Sequence, residues 1–268
     1  MSDLTHNEVR LPPCAAMHRC RPLPRSIRRR WAGLAAGLLL LGAGAARAVE
    51  SAVVQEILDG KELFIDKQRA KLQDRAKAPQ QLSTGASRGQ IGFENGAAGR
   101  LSRFSQLRLG RGCFLIEKGQ ILVSGKQAGC TRSSRMSVRG TNYVLEVKDD
   151  GSSELSVLEG TVEVEPLRDG MPSGAATTVV TAGQRLRLSV KGAVLALLGL
   201  SEADYNSVLQ GPLFEGFQLP LPAYGSLESY IRARLPGVSL PSLPAAPIPL
   251  PSAPSVPSVP SFSLPRFF

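Results

Sequence analysis

A mainly β protein is what this 268-residue sequence predicts: a short-stranded sandwich or β-solenoid-like domain, then short helices and a disordered proline-rich tail. Three observations carry that expectation. Turn signals recur from Ser51 to Gly192, at Asp59-Gly60, Asn95-Gly96, Lys118-Gly119, Asp150-Gly151, Glu159-Gly160, Ala182-Gly183 and Lys191-Gly192. Glycine supplies the positive φ of tight turns, and Asn or Asp before it tolerates the same region. Between the turns apolar residues alternate with period two, as in Tyr143, Leu145 and Val147, or Leu186, Leu188 and Val190. That period puts one strand face in a core and the other in water. No stretch from 85 to 192 carries a helical period.

The first segment reads as targeting, not fold. Residues 25–48 hold a basic stretch (Arg25, Arg28, Arg29, Arg30), an uncharged run of 15 residues from Ala32 to Ala46, and Ala46-Arg47-Ala48. These are the three parts of a secretory signal, with cleavage expected before Val49. The run is shorter than the roughly 20 apolar residues of a membrane-spanning helix. An uncleaved anchor is the alternative, and the arginine run admits a twin-arginine route. Met17 would give a leader of ordinary length, so residues 1–16 read as an extension before the true start.

Cleavage changes the inventory. Eight arginines against Asp3 and Glu8 leave with residues 1–48, a net of +6 out of the chain's +10, so +4 stays. His6, His18, Trp31, Cys14 and Cys20 leave too. The remaining chain has no histidine, which excludes a histidine base, a Ser-His or Cys-His nucleophile and a histidine-ligated metal. No catalytic residue, metal site or cofactor is expected.

In the body, residues 65–78 (IDKQRAKLQDRAKA) fit a short helix or an irregular strand equally. Cys113 and Cys130 are the cysteines left after export. In an oxidising compartment, with Lys118-Gly119 between them, they read as a disulfide across a hairpin. Free thiols and a thiolate metal site are the competing readings. Two basic clusters, Lys67 to Lys77 and Arg88 to Arg111, read as solvated strand faces or as contacts with acidic envelope polymers. Nucleic acid is not expected as a partner, because no aromatic residues interleave the charges. The acids Asp149, Asp150, Glu154, Glu159, Glu163 and Glu165 lie at turns or at wet strand positions, which argues against a glycosidase pair.

After Gly192 the pattern changes. Val194 to Leu200 is apolar; Ser201 with Asp204 forms a capping box for a helix over 202–209; a second helix is expected from Ser226 to Leu235 with Ser226 as its cap. From Pro236 on, ten of 33 residues are proline, which removes the donors a sheet or helix needs.

One stretch carries a family likeness. Ser137-Val138-Arg139-Gly140-Thr141-Asn142-Tyr143-Val144 is followed by Asp150-Gly151, then by Val157-Leu158-Glu159-Gly160-Thr161-Val162-Glu163-Val164, then by Ala182-Gly183-Gln184-Arg185-Leu186. Upstream stand Leu82-Ser83-Thr84-Gly85 with Ser87, Ile91, Phe93 and Asn95-Gly96, and an opening hairpin around Asp59-Gly60. In this order the segments resemble the FecR domain over about residues 51–192. The resemblance implies a periplasmic β-domain whose signature residues here are Val138, Arg139, Gly140, Thr141, Glu159 and Gly160. Gly140 and Gly160 are expected where strands turn, and Arg139 is expected to reach a backbone carbonyl or Glu159. FecR-type regulators also carry a cytoplasmic anti-sigma segment and a receptor-facing end, whereas here a short Pro- and Arg-rich lead and a proline-rich tail flank the domain.

The organisation expected is therefore a signal peptide over 1–48, a FecR-like domain over 49–192, a short helical segment over 193–235 and a tail over 236–268. The function expected is an exported, non-enzymatic binding or scaffolding module, periplasmic or secreted, whose partner is an envelope protein or polysaccharide. The alternative is a membrane-anchored regulator of the anti-sigma type.

Overall fold

The computed structural model describes residues 51–241. The signal segment with Ala46, Ala48 and Val49, and all of the tail beyond Pro241, lie outside the described residues. The fold is mostly β. The first strands are β1 (Ser51–Leu58), β2 (Leu63–Ile65), β3 (Gln68–Arg69), β4 (Arg75–Lys77), β5 (Gln81–Thr84), β6 (Arg88–Phe93), β7 (Ala98–Leu101) and β8 (Gln106–Arg108). Then come β9 (Phe114–Gly125), β10 (Gly129–Cys130), β11 (Ser134–Val147), β12 (Ser153–Arg168), β13 (Met171–Pro172), β14 (Thr178–Thr181), β15 (Gln184–Leu188) and β16 (Val194–Gly199). Two helices close the described chain, α1 (Glu202–Leu209) and α2 (Tyr224–Arg234).

All strands belong to one continuous open sheet, and three of them are long enough to run through two parts of it. The first half of β9 pairs β8, and its second half pairs β7. The first half of β12 pairs β15 and its second half β14. The result is two limbs that share β9, β11 and β12. One limb carries β2, β5, β8 and β14; the other carries β1, β6, β7, β15 and β16. Side chains of both limbs meet in one core, with Leu63, Leu82, Leu107 and Val180 from the first and Val54, Ile91, Leu101 and Leu186 from the second.

The long strands change parity on the way. On β9 the core residues are Phe114 and Ile116, then Ile121 and Val123; on β11, Met136, then Tyr143 and Leu145; on β12, Leu155 and Val157, then Val162 and Val164. With a side-chain period of two, a strand keeps its apolar face inward through such a change only by inserting an odd residue. The switch points are Gly119 (φ +83°), Gly140 (φ +58°) and Gly160 (φ +89°). On β11 and β12 the pairing runs Arg139↔Thr161, Asn142↔Glu159, Tyr143↔Val157, so each strand inserts one residue and the register is restored.

Several expectations change here. Gly140, Gly160 and Gly119 are bulges inside continuous strands, not ends of strands. Lys118-Gly119 accordingly is no hairpin turn. The disulfide is present, with Cα atoms of Cys113 and Cys130 5.9 Å apart. It ties the entrance of β9 to β10, which runs parallel to it, Gly129 opposite Phe114. Residues 65–78 form the end of β2, strands β3 and β4, and the turns between them. Asp66 (φ +54°) and Gln73 (φ +71°) adopt left-handed conformations that no helix contains. The apolar run after Gly192 extends the sheet as β16, so the helical segment begins only at Glu202.

α1 starts as its sequence predicts: Asp204 N–H donates to Ser201 Oγ (3.2 Å) and Ser201 N–H to Asp204 Oδ2 (2.8 Å). α2 starts two residues before Ser226, with Ala223 at its cap and no side-chain cap bond. The sheet sets that start. Ala223 N–H donates to Ser124 Oγ (3.0 Å), and its carbonyl accepts from Asn142 Nδ2 (2.9 Å). The two helices and the loop between them cover the outer face of the second limb, where Ala98, Leu122, Val144 and Leu158 meet Tyr205, Phe214, Leu227 and Ile231.

Candidate functional site

The outer face of the second limb is organised as a cross-strand row. Glu56 of β1 stands opposite Gln90 of β6, Gln90 opposite Arg100 of β7, and Arg100 opposite Leu122 of β9. Arg100 is fully buried. Its Nε donates to Gln90 Oε1 (2.8 Å), Nη1 to the Leu213 carbonyl (3.1 Å) and Nη2 to the Leu219 carbonyl (2.7 Å). Its guanidinium carbon lies 4.4 Å from the centroid of the Phe217 ring. Desolvation lowers its pKa to about 10, opposed by the fields of Glu56 and Tyr224, so it remains cationic at neutral pH. Glu56 accepts the backbone N–H groups of Gln218 (2.8 Å) and Leu219 (3.2 Å).

Arg88 works beside it. It pairs with Asp59 and donates to the carbonyls of Pro212 and Glu215 (2.8 Å for the latter). Two arginines expected on solvated faces are therefore buried, and they hold the loop before α2 to the sheet. The sequence signal was weak but present: Arg100 interrupts a run of small and apolar residues from Gly96 to Leu101. The sheet side of this face is filled by the chain's own segment.

The signature residues divide between structural places. Val138 packs at the margin of the core. Arg139 is exposed and pairs with Glu163 (2.9 Å), not with Glu159. Glu159 accepts instead from Asn142 Nδ2 (3.0 Å), and its pKa is raised by burial, a shift the Asn142 bond opposes. Thr141 is fully buried. Thr141 Oγ1 and Asn142 Oδ1 are buried without a hydrogen-bond partner among the described residues. These residues shape the bulge and do not converge on open space.

Open space lies at one end of the two limbs, in two adjoining clefts that share Arg132 and Ser133. The first, of about 350 Å³, has core residues Ile116 and Val147 at its floor and Lys118, Lys148 and Asp149 at its walls. The second, of about 570 Å³, runs between Pro166–Asp169, Ala175 and Ala176, and Lys191–Val194. Lys118 Nζ pairs with Asp149 (2.8 Å) and Glu117 with Arg108 (3.2 Å), so both acids of the first cleft are matched. Arg132 and Lys191 form no ion pair among the described residues. With Lys118, Arg132, Lys148, Arg168 and Lys191 against Glu117, Asp149 and Asp169, the walls are net cationic. Such a trough can hold an extended polar or anionic chain along an apolar floor. Sequence reasoning missed it because its residues come from turns and strand segments far apart in the sequence.

No protein-family model matches the sequence, and neither does any curated protein. Two crystal structures of a candidate anti-sigma factor from Parabacteroides distasonis ATCC 8503 are similar in part. One is 16% identical with a TM-score of 0.40, over 49% of this chain and 65% of its own. The other is 15% identical with a TM-score of 0.38, over 57% of this chain and 88% of its own. The class defined by the fold and the clefts is, among the described residues, a β-rich module with a folded-over sheet, a helical cover and joined clefts around Arg132 and Ser133.

Proposed function

We propose that this chain is an exported, non-enzymatic binding or scaffolding module of the cell envelope. Its FecR-like β-domain takes an extended segment of an envelope protein or polysaccharide in the joined clefts around Arg132 and Ser133. The observation that carries this reading is the trough itself, open, net cationic, and with the acids of its first cleft already paired. Recognition there needs only hydrogen bonds and charge complementarity, with no bond made or broken. The disulfide fits an oxidising compartment, and among the described residues no helix is long and apolar enough to cross a membrane. The sequence resemblance over residues 51–192 supports the periplasmic assignment.

The test is in-cell photocrosslinking from position 191, combined with N-terminal sequencing of the fractionated protein. The proposal expects a terminus at Val49 and an adduct with an envelope component that Arg132→Glu abolishes. An intact N-terminus in the inner membrane, or crosslinking indifferent to Arg132→Glu, overturns it.

A further inference from the structure

Ser133 lines both clefts, and its carbonyl oxygen is the meeting point of three segments far apart in the sequence. Leu167 N–H donates to it at 2.7 Å. A Cβ on Gly192 would lie 2.6 Å from it, so only glycine lets the turn between β15 and β16 come this close. The chain neighbours of these three residues are Arg132, Arg168 and Lys191. Contact between the backbones therefore gathers three cations around the second cleft: Arg132 from the turn between β10 and β11, Arg168 from the end of β12, and Lys191 from the turn between β15 and β16. The turn that carries Arg132 is held at its base by Thr131 N–H on the Ser134 carbonyl (2.8 Å) and by the disulfide at Cys130.

The two clefts differ in charge. In the first, Lys118 is paired with Asp149 (2.8 Å) and Lys148 with Glu154 (3.9 Å). In the second, Arg132, Arg168 and Lys191 are all exposed, and none forms an ion pair among the described residues. Asp169 is the acid of that lining. Screening limits exposed charges to about 8 Å at physiological salt, so the two clefts present different fields to one ligand.

The other groups of the second cleft narrow the ligand. In its walls Leu167 N–H is bonded to Ser133, Ser173 N–H to the Pro166 carbonyl (2.9 Å), Gly192 N–H to the Ser189 carbonyl (2.9 Å) and Ala193 N–H to Ser189 Oγ (3.0 Å). A peptide that adds as a strand needs such backbone groups free. No aromatic side chain lines either cleft, so an uncharged sugar finds no ring to stack on. Two guanidinium forks and an ammonium are left for a ligand, and they suit a carboxylate or a phosphate.

We infer that the second cleft holds the carboxylate- or phosphate-bearing unit of an acidic polysaccharide, while an uncharged stretch of the same chain lies in the first. This rests on the binding role proposed above and names its ligand class.

Titration of the purified full chain with hexagalacturonate, its methyl ester, a phosphorylated maltohexaose and hexaglutamate tests it. At least one of the acidic sugars is expected to bind about tenfold or more tightly than the methyl ester and hexaglutamate, the scale of one charge-assisted hydrogen bond. Which acidic sugar binds better tells carboxylate from phosphate. Lys191→Glu and Arg168→Glu each weaken that binding by on the order of tenfold, whereas Lys148→Glu, in the first cleft, changes it by less than about twofold. Hexaglutamate that binds as tightly as the acidic sugars, a methyl ester that binds equally, or equal losses from Lys148→Glu and Lys191→Glu overturns the inference. So does the failure of every probe to bind while the Arg132-dependent crosslink from position 191 persists, which leaves the trough to another class of ligand. Loss of that crosslink as well removes the binding role itself.

Discussion

A Cβ built on Gly160 would lie 2.7 Å from the carbonyl oxygen of Gly140 and 2.6 Å from Thr141 Cγ2. The two glycines face each other across the β11–β12 pair, where both long strands insert one residue and pass from one limb of the sheet to the other. They are not equivalent. Gly140 has nothing within 4 Å of its own Cβ position, so it is there for its φ of +58° alone. Gly160 is there for its φ of +89° and for space.

That difference predicts unequal substitution costs. Gly140→Ala requires only a left-handed alanine, a penalty of about 1 kcal/mol. Gly160→Ala adds an overlap with backbone that cannot move without shifting β11, and it is expected to cost about 3 kcal/mol or more. Urea midpoints of the two variants check this; equal losses contradict the paired-bulge account.

The sequence showed the strands and their faces well, because alternation reports burial directly. Tyr143, Leu145 and Val147 are in the core as their parity requires. It could not show that the pattern changes phase. Glu159-Gly160 and Lys118-Gly119 have the chemistry of turns, and only the partner strands decide whether such a glycine reverses the chain or bends it. Burial of Arg88 and Arg100 was illegible for a similar reason. Their acceptors are backbone carbonyls between Pro212 and Leu219, more than 100 residues away, and a carbonyl leaves no mark in a sequence. The clefts fared no better, being a property of how turns and strand segments far apart in the sequence gather.

Arg100 fastens the helical cover. Arg100→Ala leaves two carbonyls and Gln90 without their donor in a dry setting, at an expected loss of about 3 kcal/mol. Arg100→Lys recovers little, since one ammonium cannot match the planar fork that reaches Gln90, Leu213 and Leu219 together. The variants should be cleaved faster by protease within residues 211–222 than in the sheet. Uniform cleavage would mean that Arg100 stabilises the whole fold and not the cover.

Cys113 and Cys130 are 17 positions apart. Closing a loop of that size restricts the unfolded chain by about 3 kcal/mol in the entropy model. Replacing both with serine is expected to lower stability by about that amount while leaving the far-ultraviolet dichroism of the sheet unchanged. A loss of strand signal instead would show that the β9–β10 parallel pairing depends on the covalent tie.

Asp59, in the connection between β1 and β2, which pair with other strands and not with each other, is tied to the helical cover through Arg88. Its carboxylate accepts from Arg88 Nη2 (3.1 Å) as well as Nε, and from Arg103 Nη2 (2.7 Å). The Arg88 hydrogen bonds are the largest cause that holds its pKa at about 2 instead of the ordinary 3.8, with Arg103 adding to them and desolvation opposing. The folded value is the lower one, so Asp59 stabilises the fold above pH 3.8, and this contribution is lost as pH falls through about 2. Asp59→Asn keeps a residue that tolerates the left-handed φ of +64° but removes the charge. The variant should therefore be less stable than the parent at pH 6, and the gap should close between pH 4 and pH 2. Denaturation midpoints across that range decide it: a constant gap would mean that Asp59 acts through shape alone and that Arg88 is held by Pro212 and Glu215 without it.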